Sequence, residues 1–322
     1  MKIKIGVMGC ANVAERCMIP AIKATSEFEL IAIASRTKEK ADSFADKFSC
    51  EAIEGYSNLL NRDDIDVVYI PLPPGLHEEW IINALNKGKH VLAEKSLAID
   101  YTSVKKIINE AETGQLLVME DFMFQYHRQH AFVKELISDG EIGEIRFFKS
   151  SFGFPPRSKD DIRYSKKLGG GALLDAGGYV VKAAQLFLGT DLTLGGAFLK
   201  YDRQLDVDIY GGAILKNKKN QIAHVSFSFD NYYQCSYEIW GSKGKITAER
   251  AFTPLVNFGP KIILEKQDHK QEFVIAPDNH FINILKEFHR AIQEKDFHRH
   301  WNDALLQANL LNQIRENHAR TD

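Results

Sequence analysis

Two segments carry side chains that could act on a carbonyl group. In the first, Ala93-Glu94-Lys95, an apolar run ends in an acid and a lysine. An ammonium group there could stabilise negative charge that develops on an oxygen. The second follows Gly169-Gly170-Gly171, where Asp175, Tyr179 and Lys182 recur at positions i, i+4 and i+7 and share one helix face. Tyr179 could give a proton to an alkoxide, with Asp175 orienting the substrate or the tyrosine. The alternative is that Tyr179 has no catalytic role and packs in the hydrophobic core.

The turn after the first apolar run fits the dinucleotide-binding pattern G-x-G-x-x-G/A. Gly9, Ala11 and Ala14 occupy its three small positions, and Ala11 adds one methyl group where glycine is usual. The turn opens a helix pattern, and a helix N-terminus offers free N–H groups to phosphates. A tight turn without a ligand is the alternative. The predicted contacts with the pyrophosphate are Gly9, Cys10, Ala11, Asn12 and Val13.

The residues after the second strand pattern distinguish between the two nicotinamide cofactors. An NAD-binding unit usually carries an acid here, which holds the 2′-hydroxyl of the ribose. This chain has Ser35, Arg36 and Thr37 instead, which are two hydroxyls and a cation that suit a 2′-phosphate. The sequence therefore favours NADP(H), although Arg36 could also be a solvated loop arginine.

These candidates must be positioned by two different kinds of fold. Residues 1–120 alternate strand and helix patterns, which predicts a doubly wound parallel sheet of the Rossmann type. Glu94 and Lys95 would then lie at the carboxyl edge of the sheet, where ligands bind. Residues 121–322 contain many consecutive strand patterns with terminal helices. They predict an α+β domain with a large open, mainly antiparallel sheet.

Composition excludes several classes of function. The 322 residues include 41 lysines and arginines against 43 acids, so no excess of positive charge is available for nucleic acid. No apolar run is long enough for a membrane span, and no signal-peptide pattern is present. The four cysteines lack metal-ligand spacing, so we expect no metal and a reducing, cytoplasmic location.

Three motifs together resemble the Gfo/Idh/MocA oxidoreductase family. They are Gly6 to Ala14, Gly88 to Lys95 and Gly169 to Tyr179. The resemblance implies that Lys95 is the family's active-site lysine, although Ser96 replaces the proline that normally follows it. It also implies a homo-oligomer, a dimer or tetramer, that assembles through the open sheet. The further cofactor-lining residues that it implies are Leu72, Pro73, His77 and Glu94.

A narrower resemblance points to the nucleotide-sugar 3-ketoreductases that make deoxysugars. It is carried by Met119 to His127, Phe152 to Pro156, Asp160 to Tyr164 and Arg250 to Pro254. It implies NADPH-dependent reduction of the C3 keto group of a nucleotide-linked deoxysugar. Arg163 could then pair with a diphosphate. The side chains that could stack on a base or sugar, with core packing as the alternative, are Tyr126, Phe154 and Tyr164.

Two other functions remain open from the sequence. One is a dehydrogenase of free aldoses or of trans-dihydrodiols, which works in the oxidative direction. The other is a non-catalytic sensor that binds NADP without turning it over. A sensor needs no chemical groups beside its cofactor, so Lys95 together with Asp175 and Tyr179 argues against it.

Overall fold

The computed structural model describes residues 2–320, with the side chains of 2–318. By its contacts the chain forms two units. The first comprises the residues up to Asp121 together with Phe281–Ala308, and the second comprises Phe122–His280 together with the residues from Asn309 onward.

The secondary structure of the described residues consists of strands, helices and short turns. The strands are β1 (Ile3–Met8), β2 (Phe28–Ser35), β3 (Glu51–Glu54), β4 (Val67–Ile70), β5 (His90–Glu94), β6 (Val118–Asp121), β7 (Ile145–Gly153), β8 (Thr193–Asp202), β9 (Val207–Lys216), β10 (Ile222–Ser228), β11 (Gln234–Gly241), β12 (Lys245–Glu249), β13 (Lys261–Lys266), β14 (His269–Val274) and β15 (His318–Arg320). The helices are α1 (Ile19–Ala24), α2 (Lys38–Phe48), α3 (Tyr56–Leu60), α4 (His77–Asn86), α5 (Tyr101–Gly114), α6 (Arg128–Ser138), α7 (Gly178–Leu188), α8 (His280–Glu294) and α9 (Phe297–Glu316).

The first unit contains a parallel sheet with the order β3-β2-β1-β4-β5-β6. Its central strands are apolar and buried on both faces, as a parallel sheet covered by helices requires. The chain order reverses between β1 and β4. In doubly wound sheets, ligands bind beyond the carboxyl ends of the strands at such a reversal. The turns after β1 and β4 are therefore the places to look for a cofactor.

The second unit contains a mixed sheet with the order β14-β13-β12-β11-β7-β10-β9-β8-β15. Within it, β7 pairs with β10 and β8 pairs with β15 in parallel, and the other neighbours are antiparallel. One face carries the buried aromatic residues Phe148 and Tyr237, which pack against Phe187 of α7. α7 is thus held against the middle of this sheet.

A π-helical turn directly precedes each of the helices α1 and α7. The turn Ala14–Met18 precedes α1, and the turn Leu173–Gly177 precedes α7. Pro20, which predicts a kink or break, is the second residue of α1 and directly follows the π-helical turn, so the irregularity in this helix lies beside the proline. π-Helical turns often occur at functional sites. The first of these begins at Ala14, the last position of the cofactor motif, and the second contains Asp175.

The architecture confirms the predicted fold class: a Rossmann sheet and an α+β unit with a large, mostly antiparallel sheet. The grouping of the chain differs from two continuous domains, 1–120 and 121–322, because Phe281–Ala308 return to the first unit. Contacts within that unit explain the return. His289 of α8 packs edge-on against Phe28 of β2, and Phe297 of α9 packs against His90 of β5.

Candidate active site

The turn after β1 has the shape that a dinucleotide requires. Gly9 has a φ of +121°, and a Cβ there would lie 2.9 Å from Cδ2 of Leu72, in the turn after β4. Its N–H donates to the Ala34 carbonyl oxygen of β2 at 2.9 Å. Glycine is therefore required at this position. The following helical residues begin at Asn12, which is exposed.

The neighbouring end of β2 carries the residues predicted to contact a 2′-phosphate. Arg36 and Thr37 are exposed, and Thr37 precedes the first turn of α2. Ser35 is buried and hydrogen-bonds with Cys10, whose pKa is raised mainly by burial. The Cys10 thiol also faces the carbonyl oxygen of Lys40 at 3.7 Å. Lys40 is a further cation near this turn that the sequence motif does not single out.

His77 connects two backbone segments of the first unit. It is fully buried, with Nε2 2.7 Å from the Leu72 carbonyl oxygen and Nδ1 3.0 Å from that of Ser96. Burial lowers its pKa to about 4, so the ring is neutral and donates one N–H. His77 thus lies between the turn that contains Leu72 and Pro73 and the segment after Lys95, and its single N–H is donated to one of the two carbonyl oxygens. Its direct contact with a cofactor stays a prediction.

Glu94 ends β5 and Lys95 follows it, at the carboxyl edge of the parallel sheet, where the sequence places them. Tyr69 of β4 is fully buried and donates a 2.8 Å hydrogen bond to Oε1 of Glu94. Burial raises the pKa of Glu94, while the Lys95 ammonium and the hydrogen bonds from its neighbours act in the opposite direction. The Lys95–Ser96 peptide bond is cis. Lys95 itself is half-buried.

Tyr179 lies in the second unit within a cluster of aromatic rings. Its residue is 6% exposed, and its hydroxyl lies 3.9 Å from Sδ of Met123. Four phenylalanine rings surround it at centroid distances of 5.0 to 5.7 Å. Edge-on and tilted contacts of this kind fix the plane of the ring. The rings belong to Phe122, Phe124, Phe152 and Phe252.

Asp175 is paired with Arg163 in this structure. Nε of Arg163 donates to Oδ2 of Asp175 at 2.6 Å, and Nη1 donates to Oδ1 of Asp161 at 3.1 Å. Burial opposes the charge of the guanidinium, but these two carboxylates raise its pKa above the ordinary value. The contact of Arg163 with a substrate diphosphate stays a prediction. Lys182, the third member of the predicted stripe, is buried near the Phe122 ring.

Asp208 of β9 is a residue that the sequence analysis misses. It is buried, accepts a 2.6 Å hydrogen bond from the N–H of Leu173, and fills the space where Gly171 lacks a side chain. Burial raises its pKa to about 6. Asp208 thus anchors the first turn of the helix that carries Asp175 and Tyr179. An acid beside the buried Val207, within a strand pattern, is the signal that could have revealed it.

The aromatic residues predicted to stack on a base or sugar are all half-buried. Phe154 stacks on Phe229 at a centroid distance of 5.1 Å. Tyr164 accepts a hydrogen bond from the N–H of Arg157 and contacts the edge of Phe229. Phe154 and Tyr164 therefore form one cluster, and Tyr126 lies elsewhere, in the turn before α6. Their contact with a substrate stays a prediction.

A Rossmann sheet with this glycine turn, in a chain that also carries an acid and a tyrosine on one helical segment, is typical of a nicotinamide-dependent oxidoreductase. Comparison with known families agrees. The Gfo/Idh/MocA model for the NAD-binding Rossmann fold matches residues 3–122, and the model for the family's C-terminal domain matches residues 130–247. The chain belongs to the Gfo/Idh/MocA oxidoreductase family.

Relatives with named activities extend this result. The chain is 43% identical over 314 residues to the dTDP-3,4-didehydro-2,6-dideoxy-alpha-D-glucose 3-reductase of Actinomadura kijaniata, which covers 97% of this chain and 95% of the relative. It is 42% identical over 291 residues to the reductase of the same name from Saccharopolyspora spinosa, covering 90% of this chain and 88% of the relative. The resemblance to nucleotide-sugar 3-ketoreductases is thereby confirmed.

A solved structure of KijD10, a 3-ketoreductase from Actinomadura kijaniata, superimposes with a TM-score of 0.96. It is 41% identical and covers 99% of both chains, and it holds NADP and TDP-benzene. Variants of KijD10 in which a tyrosine is replaced by phenylalanine, or a lysine by alanine, have also been crystallised with these ligands. NADP(H) is thus the cofactor of this protein, and the Gly9 turn and the exposed Arg36 after β2 fit it.

The side chains of residues 2–318 form no group of three or more histidines, cysteines or acids that could hold a metal ion. None of the helices within residues 2–320 combines the length and the apolar character needed to cross a membrane.

Proposed function

We propose that this oxidoreductase uses NADPH to reduce the C3 keto group of a dTDP-linked 3,4-diketo-2,6-dideoxy sugar. The reaction consumes one ketone, one NADPH and one proton, and it yields one alcohol and NADP⁺. One observation carries the assignment of the residues. The lysine and the tyrosine replaced in the KijD10 variants lie 84 positions apart. Lys95 and Tyr179 have the same separation in this chain.

The cofactor, when bound, supplies a hydride to the carbonyl carbon. Gly9 and the residues after it hold its pyrophosphate with backbone N–H groups, and Arg36 and Thr37 hold its 2′-phosphate. The Lys95 ammonium stabilises the oxygen as it gains negative charge. Tyr179 then donates a proton to that oxygen, and Asp175 orients the substrate or the tyrosine.

One face of the sheet in the second unit supports the proposal that the protein forms a homo-oligomer. The sheet face opposite α7 exposes a row of large apolar residues on neighbouring strands. Phe198 and Ile214 are 61% and 50% exposed, and contiguous apolar patches of this kind mark interaction surfaces. We propose that a second copy of this chain covers the row, which comprises Phe147, Phe198, Tyr210, Ile214 and Trp240.

Light scattering after gel filtration tests this assembly. Ile214→Asp together with Phe198→Asp should convert a dimer or tetramer into a smaller species. An unchanged mass would contradict the proposed interface.

All four cysteines are free, which fits a reducing compartment, and we propose the cytoplasm as the location.

The proposed reaction is tested by following NADPH absorbance with the dTDP-linked 3-keto sugar. Free D-xylose and a trans-dihydrodiol, each with NADP⁺, are tested in parallel as substrates for oxidation. The proposal expects turnover of the nucleotide sugar at least a hundredfold more efficient than that of either free substrate, because a site that binds a whole nucleotide uses that binding to position the sugar. Turnover of the free substrates alone would contradict it.

A further inference from the structure

The guanidinium of Arg163 is held between two carboxylates of the second unit. Nε donates to Asp175 and Nη1 donates to Asp161, at 2.6 and 3.1 Å. The side chain is only 28% exposed, so most of its surface is already covered. One positive charge faces two negative ones, and the cluster therefore has no net positive charge to offer to a phosphate.

The backbone of the same residue fixes the approach to the helix. The carbonyl oxygen of Arg163 accepts from the N–H of Gly171 at 3.0 Å, and that of Ser165 accepts from Gly170 at 2.9 Å. A Cβ at Gly170 would lie 2.4 Å from the Arg163 oxygen, so only glycine allows this approach. Three residues further on, the π-helical turn that carries Asp175 begins at Leu173.

We propose that Arg163 is a positioning residue for Asp175 rather than a ligand of the substrate diphosphate. Its side chain fixes the Asp175 carboxylate in one orientation, and its backbone fixes the start of the turn that carries this carboxylate. Asp161 holds the guanidinium in place from the other side. The inference rests on the proposed function for its substrate, because Asp175 acts during turnover of that sugar.

A double-mutant cycle tests this role. Arg163→Gln and Asp175→Asn are compared singly and together, with kcat and KM measured for the dTDP-linked sugar. If Arg163 acts only through Asp175, each single variant lowers kcat about tenfold or more and the double variant is no slower than the worse single one. The KM for the sugar and the Kd for TDP stay within about twofold of wild type.

Arg157→Gln is the matched control. Arg157 lies in the same loop, is exposed, and places its guanidinium over the Phe154 ring at 5.0 Å. This variant should leave kcat unchanged. If Arg163→Gln melts at a lower temperature than wild type, Asp161→Asn tests the same role. This variant weakens the contact that holds the guanidinium and leaves Arg163 in place. It should lower kcat while KM stays constant.

Three results would overturn the inference. A tenfold weaker Kd for TDP in Arg163→Gln with kcat retained would make Arg163 a diphosphate ligand. Multiplicative losses in the double variant would separate Arg163 from Asp175. An unchanged kcat in both Arg163→Gln and Asp161→Asn would remove the positioning role. The Kd for TDP is measured without turnover. If the wild-type protein fails to reduce the sugar, that result therefore contradicts the proposed function and not the proposed role of Arg163.

Discussion

The N–H of Leu173 donates a 2.6 Å hydrogen bond to the carboxylate of Asp208, which lies 35 positions later in the chain. This contact joins β9 to the π-helical turn that carries Asp175. The same carboxylate occupies the space beside Gly171, so the turn and the strand fit together only with glycine at that position. The chemical groups of α7 and its π-helical turn are thus anchored by a residue with no expected contact with the substrate.

The pKa of Asp208 predicts a pH dependence of stability. Burial raises it from 3.8 to about 6, so the folded state binds a proton that the unfolded state releases. The stabilisation is complete below pH 4 and is lost as the pH rises through about 6. Relative to Asp208→Asn, wild type should therefore lose on the order of 2–3 kcal/mol of unfolding free energy between pH 4 and pH 7. Urea unfolding of both proteins measures this difference, and parallel pH profiles would contradict it.

His77 predicts the opposite trend. Its pKa is lowered by burial to about 4, so the unfolded state takes up a proton that the folded state excludes. Its contribution is complete above about pH 6.5 and is lost as the pH falls towards 4. Compared with His77→Asn, wild type should lose about 3 kcal/mol of unfolding free energy over this range. Chemical unfolding at pH 7 and pH 4.5 provides the measurement, and an equal loss in both proteins would exclude His77 as the source.

Gly9→Ala should weaken NADPH binding by at least about tenfold, because the new Cβ meets Leu72 and the positive φ strains an alanine. Isothermal titration with NADPH measures the loss. Ala11→Gly is the matched control in the same turn. It removes a methyl group from the middle motif position and should retain or improve binding. Equal affinities of Gly9→Ala and wild type would show that the pyrophosphate binds elsewhere.

Arg36→Ala should shift the preference between the two cofactors. Loss of one charge-assisted hydrogen bond costs about 1.5–3 kcal/mol, which is roughly a ten- to hundredfold weaker affinity for NADPH. NADH lacks the 2′-phosphate and serves as the internal control, because its affinity should stay the same. The two dissociation constants are measured by quenching of protein fluorescence. A parallel loss for both cofactors would indicate a structural role for Arg36.

The parts of the fold with strong periodicity could be predicted from the sequence. β1, the glycine turn and α7 are examples, because buried runs and helical spacing are local signals. β3 and β14 could not be predicted, since Glu51–Glu54 is short and polar and His269–Val274 is an exposed edge strand without an apolar face. In both cases, pairing with a neighbouring strand decides the structure.

The chemistry of the site was predictable only in part, for a related reason. Motifs identify Gly9, Lys95 and Tyr179, because each of these residues belongs to a short motif whose spacing is set by a single strand, turn or helix. The partners of these residues come from elsewhere in the chain. The pairing of Arg163 with Asp175 and the burial of His77 depend on how loops fold back, and a single sequence carries no periodic signal for such contacts.

A single-turnover experiment tests the central claim most directly. Wild type, Lys95→Ala and Tyr179→Phe are each loaded with NADPH, mixed with the dTDP-linked 3-keto sugar and followed by stopped-flow absorbance. We predict that wild type oxidises one NADPH per site. Lys95→Ala should be slower by at least about a hundredfold with NADPH still bound, because it lacks the cation that stabilises the alkoxide. Equal rates in wild type and both variants, or no NADPH oxidation by wild type, would contradict the account.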